Sequence, residues 1–226
     1  GYLHEIGEGR FRLGLGVSHE VMRSMFGVSG KGDRPVSNMR EYVEQLRAAE
    51  NMAGALPPII LATLRSKMLA LAAECSEGAV WANAARSYMP AQLAEIPAEK
   101  RQAGFATAVM IPTTIDDDRE AAAAVNRRTL QMYLNLPNYR NYWNAAGYEE
   151  QMQAVVAAIE RGETDGLAAV AGDEWLSDVT LYGSVKEIRE GLEAWYDAGV
   201  ETPVLVPSST SGGLTRAAAE LFAAFE

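Results

Sequence analysis

Cysteine and histidine are scarce in this chain of 226 residues. Cys75 is the only cysteine, and His4 and His19 are the only histidines. A single thiol excludes an intrachain disulfide and a thiolate metal cage, and two imidazoles argue against a histidine-rich zinc site. Cys75 lies in an apolar helical pattern, which is typical of a small buried side chain rather than a nucleophile. We therefore expect no metal centre and a reducing, cytoplasmic environment.

Runs of basic residues and long apolar runs are also lacking. The chain has 20 Lys and Arg against 30 Asp and Glu, a formal net charge of -10. Binding to the phosphate backbone of nucleic acid depends on clustered cations, so we expect no nucleic-acid partner. No stretch approaches the roughly 18 continuous apolar residues of a membrane span, and the amino terminus has no signal-peptide pattern. We therefore expect no membrane association.

Apolar residues, by contrast, make up 48% of the chain, which is enough for a substantial core. Five short apolar runs predict buried strands, and segments with helical spacing separate them. Strands that are buried on both faces and alternate with helices are typical of an α/β fold with a parallel sheet. The predicted strands lie within 10–19, 57–64, 78–83, 105–112 and 203–207.

The first predicted strand, RFRLGLGVSH, ends in two polar side chains. Apolar side chains alternate from Phe11 to Val17, and the glycines between them leave room for another backbone or a ligand. Ser18 and His19 follow at the carboxyl end, where parallel α/β proteins gather their chemistry. His19 is therefore a candidate site residue, and a solvated loop histidine is an equal alternative.

The turn after the second predicted strand favours an anion. Leu64, Arg65 and Ser66 lead directly into a helix, and Ser66 is the candidate N-cap. Free backbone N–H groups beside Arg65 and Lys67 would suit a phosphate. The alternative is that Ser66 only caps the helix and that both cations are solvated.

Two further helix starts have clear capping signals. Three adjacent carboxylates at 116–118 suit the positive end of a helix dipole, so we assign them no metal. Ser184 and Glu187 form the S-x-x-E pattern of a capping box. An aromatic cluster at 139–148 is interpreted as core packing.

Several stretches together resemble the bacterial-luciferase-like oxidoreductases, which are flavin- and deazaflavin-dependent TIM-barrel enzymes. The resemblance spans nearly the whole chain, and it depends on the order and spacing of the stretches. They are EGRFRLGLGVSH (8–19), RPVSNMREYVEQLR (34–47), PPIILATLRSKMLALAAECSEGAVW (57–81), NLPNYRNYWNAAGY (135–148) and GSVKEIREGLEAWYDAGVETPVLVP (183–207).

This resemblance implies a TIM (β/α)8 barrel in which the strand within 10–19 is the fourth of eight. Residues 1–226 would then form one luciferase-like barrel domain that covers strands four to eight, with the amino-terminal strands one to three missing. Five strands do not close the usual barrel, and an open barrel exposes strand edges. In the family, the first three strands also supply part of the ring-binding wall and of the homodimer interface.

The resemblance also assigns site residues. The cofactor phosphate falls at the end of the first predicted strand and in the turn after the second, and the pocket for the ring or the substrate falls at the end of the third. Many members have Gly-Pro at the helix start, where this chain has Arg65 and Ser66, so Arg65 either adds a charge-assisted contact or blocks the path of the ring. We expect residues 27–34 to form a mobile lid. The cofactor-binding residues are Val17, Ser18, His19, Leu64, Arg65, Ser66 and Met68, and the substrate-pocket residues are Trp81 and Asn83.

The resemblance implies an oxidoreductase that moves a hydride between F420 and a small organic substrate. Monooxygenases are among the enzymes that the resemblance includes. FMN is the alternative cofactor. In such enzymes the cofactor carries the difficult chemistry, while the protein fixes the ring and excludes water. His19 would donate a proton or orient the substrate, or else hold the phosphate. The alternative function is a non-catalytic flavin-binding or structural relative with a reduced barrel.

Overall fold

The computed structural model describes residues 2–18, 27 and 34–226. Strands and helices alternate along these residues. The strands are β1 (Leu13–Leu15), β2 (Ile59–Ala62), β3 (Gly78–Ala82), β4 (Ala106–Ile115), β5 (Leu181–Gly183) and β6 (Thr202–Ser208). The helices are α1 (Tyr2–Ile6), α2 (Pro35–Ala48), α3 (Glu50–Ala53), α4 (Ser66–Cys75), α5 (Met89–Ala94), α6 (Ala98–Gln102), α7 (Arg119–Leu134), α8 (Pro137–Ala145), α9 (Glu149–Glu160), α10 (Leu167–Val179), α11 (Val185–Asp197) and α12 (Leu214–Ala223), with a 3-10 helix at Arg86–Tyr88.

The chain divides into two compact units. The first unit comprises Gly1–Trp81 and Ala94–Thr107, and the second comprises Ala82–Leu93 and Ala108–Glu226. In the part of the chain that the structure describes, no helix is both long enough and apolar enough to cross a membrane. The expectation that residues 1–226 form a single barrel domain stays a prediction.

The first unit contains a parallel sheet in which β2 pairs with both β1 and β3. Leu15 is opposite Leu61, and Leu61 is opposite Ala79, so the carboxyl ends of the three strands lie at the same edge. Ile59 and Leu61 are fully buried on one face of β2, and α4 contacts this strand. More and less buried residues alternate along β2, as expected where successive side chains of a strand point to opposite faces.

In the second unit, residues 108–115 of β4 form the central strand. β6 pairs with β4 in parallel from Ala108 opposite Thr202 to Thr114 opposite Ser208. The short β5 pairs with the carboxyl end of β4, where Thr113 is opposite Leu181. Since the described strand pairs are all parallel, the predicted α/β fold is confirmed. The predicted absence of strands one to three stays a prediction.

Two features of the strands differ from the sequence prediction. The run at 105–112 continues to Ile115, because Thr113 and Thr114 keep pairing although they are polar. The three-residue strand β5 is not among the predicted strands, because LYG has neither an apolar run nor a visible alternation. Asn126 provides a hydrogen-bond acceptor for the buried Thr114 hydroxyl: Thr114 Oγ1 donates to Asn126 Oδ1 at 2.8 Å. Asn126 Nδ2 in turn donates to Leu181 O at 3.0 Å. This amide therefore ties α7 to both strands.

The predicted capping box at the start of α11 is confirmed. Ser184 N and Oγ both donate to Glu187 Oε2 at 2.8 Å, and Glu187 N donates back to Ser184 Oγ at 3.4 Å. These hydrogen bonds, followed by the charge of Arg119, lower the pKa of Glu187 below its ordinary value.

Replacing Ser184 by alanine should raise the pKa of Glu187 towards its ordinary value, because the side-chain hydrogen bond from Ser184 is the largest cause of its lowering. A carboxyl pKa that folding lowers stabilises the protein above the pKa of the unfolded chain, and this stability is lost as the pH falls through the folded pKa. The variant should therefore lose stability at neutral pH and show a weaker loss on acidification. An NMR titration of the Glu187 carboxyl, with urea unfolding at pH 7 and pH 4, measures both effects. An unchanged Glu187 pKa in the variant would contradict this account.

Candidate functional site

The carboxyl ends of β1 and β2 bring together the predicted phosphate-binding residues of the first unit. Because Leu15 is opposite Leu61 in a parallel pair, Val17 and Ser18 leave β1 at the same edge where Leu64 follows β2. Ser18 is exposed and Val17 is half-buried. His19 lies outside the described residues, as does nearly all of the predicted lid at 27–34, so their roles stay predictions.

The start of α4 differs from the prediction at one residue. Arg65 occupies the N-cap position with extended backbone (φ -128°, ψ 158°), and Ser66 is the first helical residue. The prediction that Ser66 caps the helix is therefore wrong. The Ser66 hydroxyl instead donates to Glu95 Oε1 at 3.1 Å, and Arg65 provides no side-chain cap. Met68 N of the first turn already donates to Arg65 O at 3.0 Å, so an external acceptor at this end of α4 would bind the N–H groups of Ser66 and Lys67.

The charges around the start of α4 also favour an anion. Arg65, Ser66 and Lys67 are all exposed. Cations at a helix amino terminus are disfavoured by the positive end of the helix dipole, so a bound anion would relieve the repulsion. Within the described residues, a Cβ on Gly14 of β1 would meet no atom within 4 Å, whereas a Cβ on Gly16 would lie 3.1 Å from Ala62 Cβ. The residues present therefore fit a phosphate-bearing cofactor.

Trp81 is buried within the first unit. Its side chain has no exposed surface, and Nε1 has no hydrogen-bond partner among the described residues. Thr63 lies opposite Trp81 in the continued register of β2 and β3, and its Oγ1 is likewise buried and unpartnered in the described part of the chain. Thr63 was missed in the sequence, although a polar residue near the end of the run PPIILATL was a visible signal. The assignment of Trp81 to a substrate pocket stays a prediction.

Asn83 belongs to the second unit and has an unusual backbone. Its φ is +56°, in the left-handed region that asparagine enters more readily than most residues. The residue is 4% exposed, its N donates to Met110 O at 3.1 Å, and its O accepts from Trp143 Nε1 at 3.1 Å. Its Nδ2 has no acceptor among the described residues. An unpaired buried donor on a strained backbone is typical of a functional position.

The loop after Asn83 is held by side chains distant in sequence. Ala85 N donates to Tyr142 OH at 3.1 Å. Ser87 donates to Asp178 through both its N (3.0 Å) and its Oγ (2.6 Å), and Tyr148 OH donates to the same carboxylate at 3.0 Å. Burial raises the pKa of both tyrosines above their ordinary values, so the phenols remain neutral donors. We call Tyr142, Trp143, Tyr148 and Asp178 the loop clamp.

The loop clamp shows what the sequence prediction missed. The aromatic cluster was expected to be core, and it is indeed buried, but its polar atoms also hold the loop that follows β3. Asp178 was not singled out, although an acidic residue between Leu176 and Val179 in a largely apolar helix was a visible signal. Among the described residues, no group of three His, Cys, Asp or Glu side chains could hold a metal ion.

Comparison of the sequence with protein families gives a match over most of the chain. Residues 1–202 match the family described as luciferase-like monooxygenase. No curated protein sequence matches the chain.

Solved structures resemble the fold of this chain at low sequence identity. The coenzyme F420-dependent tetrahydromethanopterin reductase from Methanopyrus kandleri is 15% identical with a TM-score of 0.70, over 97% of this chain and 74% of that one. An F420-dependent secondary alcohol dehydrogenase, in complex with an F420-acetone adduct, is 13% identical with a TM-score of 0.64, over 99% of this chain and 72% of that one. The monooxygenase RslO1 from Streptomyces bottropensis is 15% identical with a TM-score of 0.58, over 99% and 69%.

Proposed function

We propose a function for this chain from the premise that it belongs to the luciferase-like monooxygenase family, as the match over residues 1–202 shows. The chain is an oxidoreductase that moves a hydride between F420 and a small organic substrate, with FMN as the alternative cofactor. The observation that carries the proposal is the start of α4 beside the carboxyl end of β1, where exposed cations and helix N–H groups suit a phosphate. Two of the structures with a similar fold are F420-dependent enzymes, which supports F420 as the first cofactor to test.

Each part of the chain would contribute a separate task. The cofactor phosphate would be held by two groups of residues. They are Arg65, Ser66 and Met68 at the start of α4, and Val17 and Ser18 at the end of β1. Bound F420 would supply hydride transfer, which no amino-acid side chain provides. The protein's contribution is to fix the position of the ring and to keep water away from it. His19 would donate a proton or orient the substrate, since its ordinary pKa lies near neutrality.

Arg65 gives the most direct test of the proposed phosphate site. Replacing Arg65 by alanine should raise the Kd for F420 about tenfold, because a charge-assisted hydrogen bond contributes about 1.4 kcal/mol or more. Fluorescence titration of the purified chain with F420, and separately with FMN, measures this change. The cofactor that binds with saturation is the one whose redox chemistry should be assayed.

Arg101→Ala is the matched control for this test. Arg101 is also an exposed arginine of the first unit, but it lies in α6, which precedes the amino end of β4. The control variant should bind the cofactor as the wild type does. Equal Kd values for wild type and Arg65→Ala would remove Arg65 from the site. Binding of neither cofactor by the wild type would reject the oxidoreductase proposal for this chain and favour a non-catalytic relative.

A further inference from the structure

Glu95 brings a carboxylate to the start of α4, where the cofactor phosphate is proposed to bind. Its Oε1 accepts the hydrogen bond from the Ser66 hydroxyl at 3.1 Å. Both residues belong to the first unit, Ser66 in the segment Gly1–Trp81 and Glu95 in the segment Ala94–Thr107. The Glu95 side chain is exposed and forms no ion pair among the described residues. Its negative charge therefore acts on an anion that binds beside Ser66.

The side chains around this helix start carry charges of both signs. Arg65 and Lys67 are exposed cations, and neither forms an ion pair in the part of the chain that the structure describes. Two cations and one carboxylate leave a single positive charge. A singly charged anion balances this set, whereas a doubly charged anion leaves an excess negative charge close to the Glu95 carboxylate.

The two candidate cofactors differ in the charge of their phosphate. FMN ends in a phosphate monoester, whose second proton has an ordinary pKa of about 6, so the group carries nearly two negative charges at neutral pH. In F420 the phosphate is a diester, which has one ionisable oxygen and one negative charge. Repulsion by a nearby carboxylate therefore acts more strongly on the monoester than on the diester.

We infer that Glu95 is a specificity-determining residue: its carboxylate, held beside the start of α4 by Ser66, biases the proposed site towards phosphodiesters and against phosphomonoesters. This inference rests on the proposed function, since the site is the one proposed for the cofactor phosphate. Between the two candidate cofactors, the bias favours F420. Two unit charges about 6 Å apart in water repel each other by an amount that corresponds to a roughly threefold change in Kd.

The test measures how the protein distinguishes a monoester from a diester. Methyl phosphate and dimethyl phosphate are the probes, used at about pH 8, where the monoester is doubly charged. The amide chemical shifts of Ser66 and Lys67 report their binding by NMR. In Glu95→Gln, the Kd for methyl phosphate divided by the Kd for dimethyl phosphate should fall about threefold. Glutamine keeps an oxygen that accepts from Ser66, so the variant removes the charge but not the hydrogen bond.

Glu99→Gln is the matched control for Glu95→Gln. Glu99 is also an exposed carboxylate of the first unit, but it lies in α6, which precedes the amino end of β4. The control variant should show the same ratio of the two Kd values as the wild type. An equal fall of the ratio in both variants would overturn the inference, because it would show an effect of net charge rather than of Glu95.

Salt separates a charge effect from a structural one. The Debye length falls to about 3 Å at 1 M salt, so the ratio in Glu95→Gln should there approach that of the wild type. A ratio that does not change at low salt, or that changes as much at 1 M salt, overturns the inference. No shift with either ester in the wild type or in Glu95→Gln also overturns it, because Glu95 would then have no anion to discriminate.

Titrations with the whole cofactors separate this inference from the proposed function. If the wild type binds neither F420 nor FMN, the proposed function fails, and the two esters still show whether Glu95 discriminates between them. If the wild type binds a cofactor and the ester ratio is unchanged in Glu95→Gln, the inference fails and the proposed function stands.

Discussion

Replacing Trp143 by alanine is expected to lower the free energy of unfolding by about 3–5 kcal/mol. The Trp143 side chain is completely buried and packs edge-on against Trp175, with ring centroids 4.9 Å apart and an interplanar angle of 87°. Tyr139 packs against it at 5.5 Å. Truncation would leave a cavity between these rings and would also leave Asn83 O without the Nε1 donor. Urea unfolding followed by circular dichroism measures the loss.

Two further variants show where the Trp143 effect arises. Trp143→Phe keeps an aromatic ring but loses the N–H donor, so it should cost less than the alanine variant. Phe222→Ala removes a ring that is 72% exposed and should change the stability by no more than about 0.5 kcal/mol. A loss below 1 kcal/mol in Trp143→Ala would show that the ring does not pack as the structure has it.

Replacing Gly78 by alanine is expected to destabilise the chain by about 3 kcal/mol. A Cβ at this position would lie 2.6 Å from Ala106 O, 2.7 Å from Ile60 Cδ1 and 2.9 Å from Ala106 Cβ. The isoleucine can move, but the carbonyl oxygen belongs to the backbone at the start of β4 and cannot move without shifting that strand. The contact between the new Cβ and Ala106 O can therefore be relieved only by moving β4, which lowers the stability.

Gly14→Ala is the matched control for Gly78→Ala. Both glycines lie in strands of the first unit, but a Cβ on Gly14 would meet no atom of the described residues within 4 Å. The control should be neutral or slightly stabilising, because alanine reduces the freedom of the unfolded chain. Comparable losses in the two variants would mean that a general effect of alanine in these strands, rather than contact with Ala106, determines the cost.

Local pattern was sufficient for much of the fold. The apolar runs within 57–64 and 78–83 became β2 and β3 because a short continuous apolar run, a purely local pattern, is typical of a strand in a parallel sheet. The capping box at Ser184 was predictable for the same reason, since both partners lie within one helical turn. The N-cap of α4 was not predictable in this way, because the Ser66 hydroxyl donates a hydrogen bond to Glu95, which is 29 residues away.

The candidate site was only partly visible in the sequence. The carboxyl ends of the first two strands could be identified, since a parallel α/β pattern places them at one edge. The left-handed backbone of Asn83 and its unpaired amide could not, because both depend on what surrounds the residue.

The sequence by itself determined that the chain alternates strands and helices, that the strands are parallel, and to which family the chain belongs. These properties depend on periodicity and on residues close together in the chain. Only the tertiary structure decided which polar groups meet, as between Ser87 and Asp178, which are 91 residues apart. A hydrogen bond requires atoms about 3 Å apart with a defined direction, and a linear pattern does not encode such a distance between remote segments.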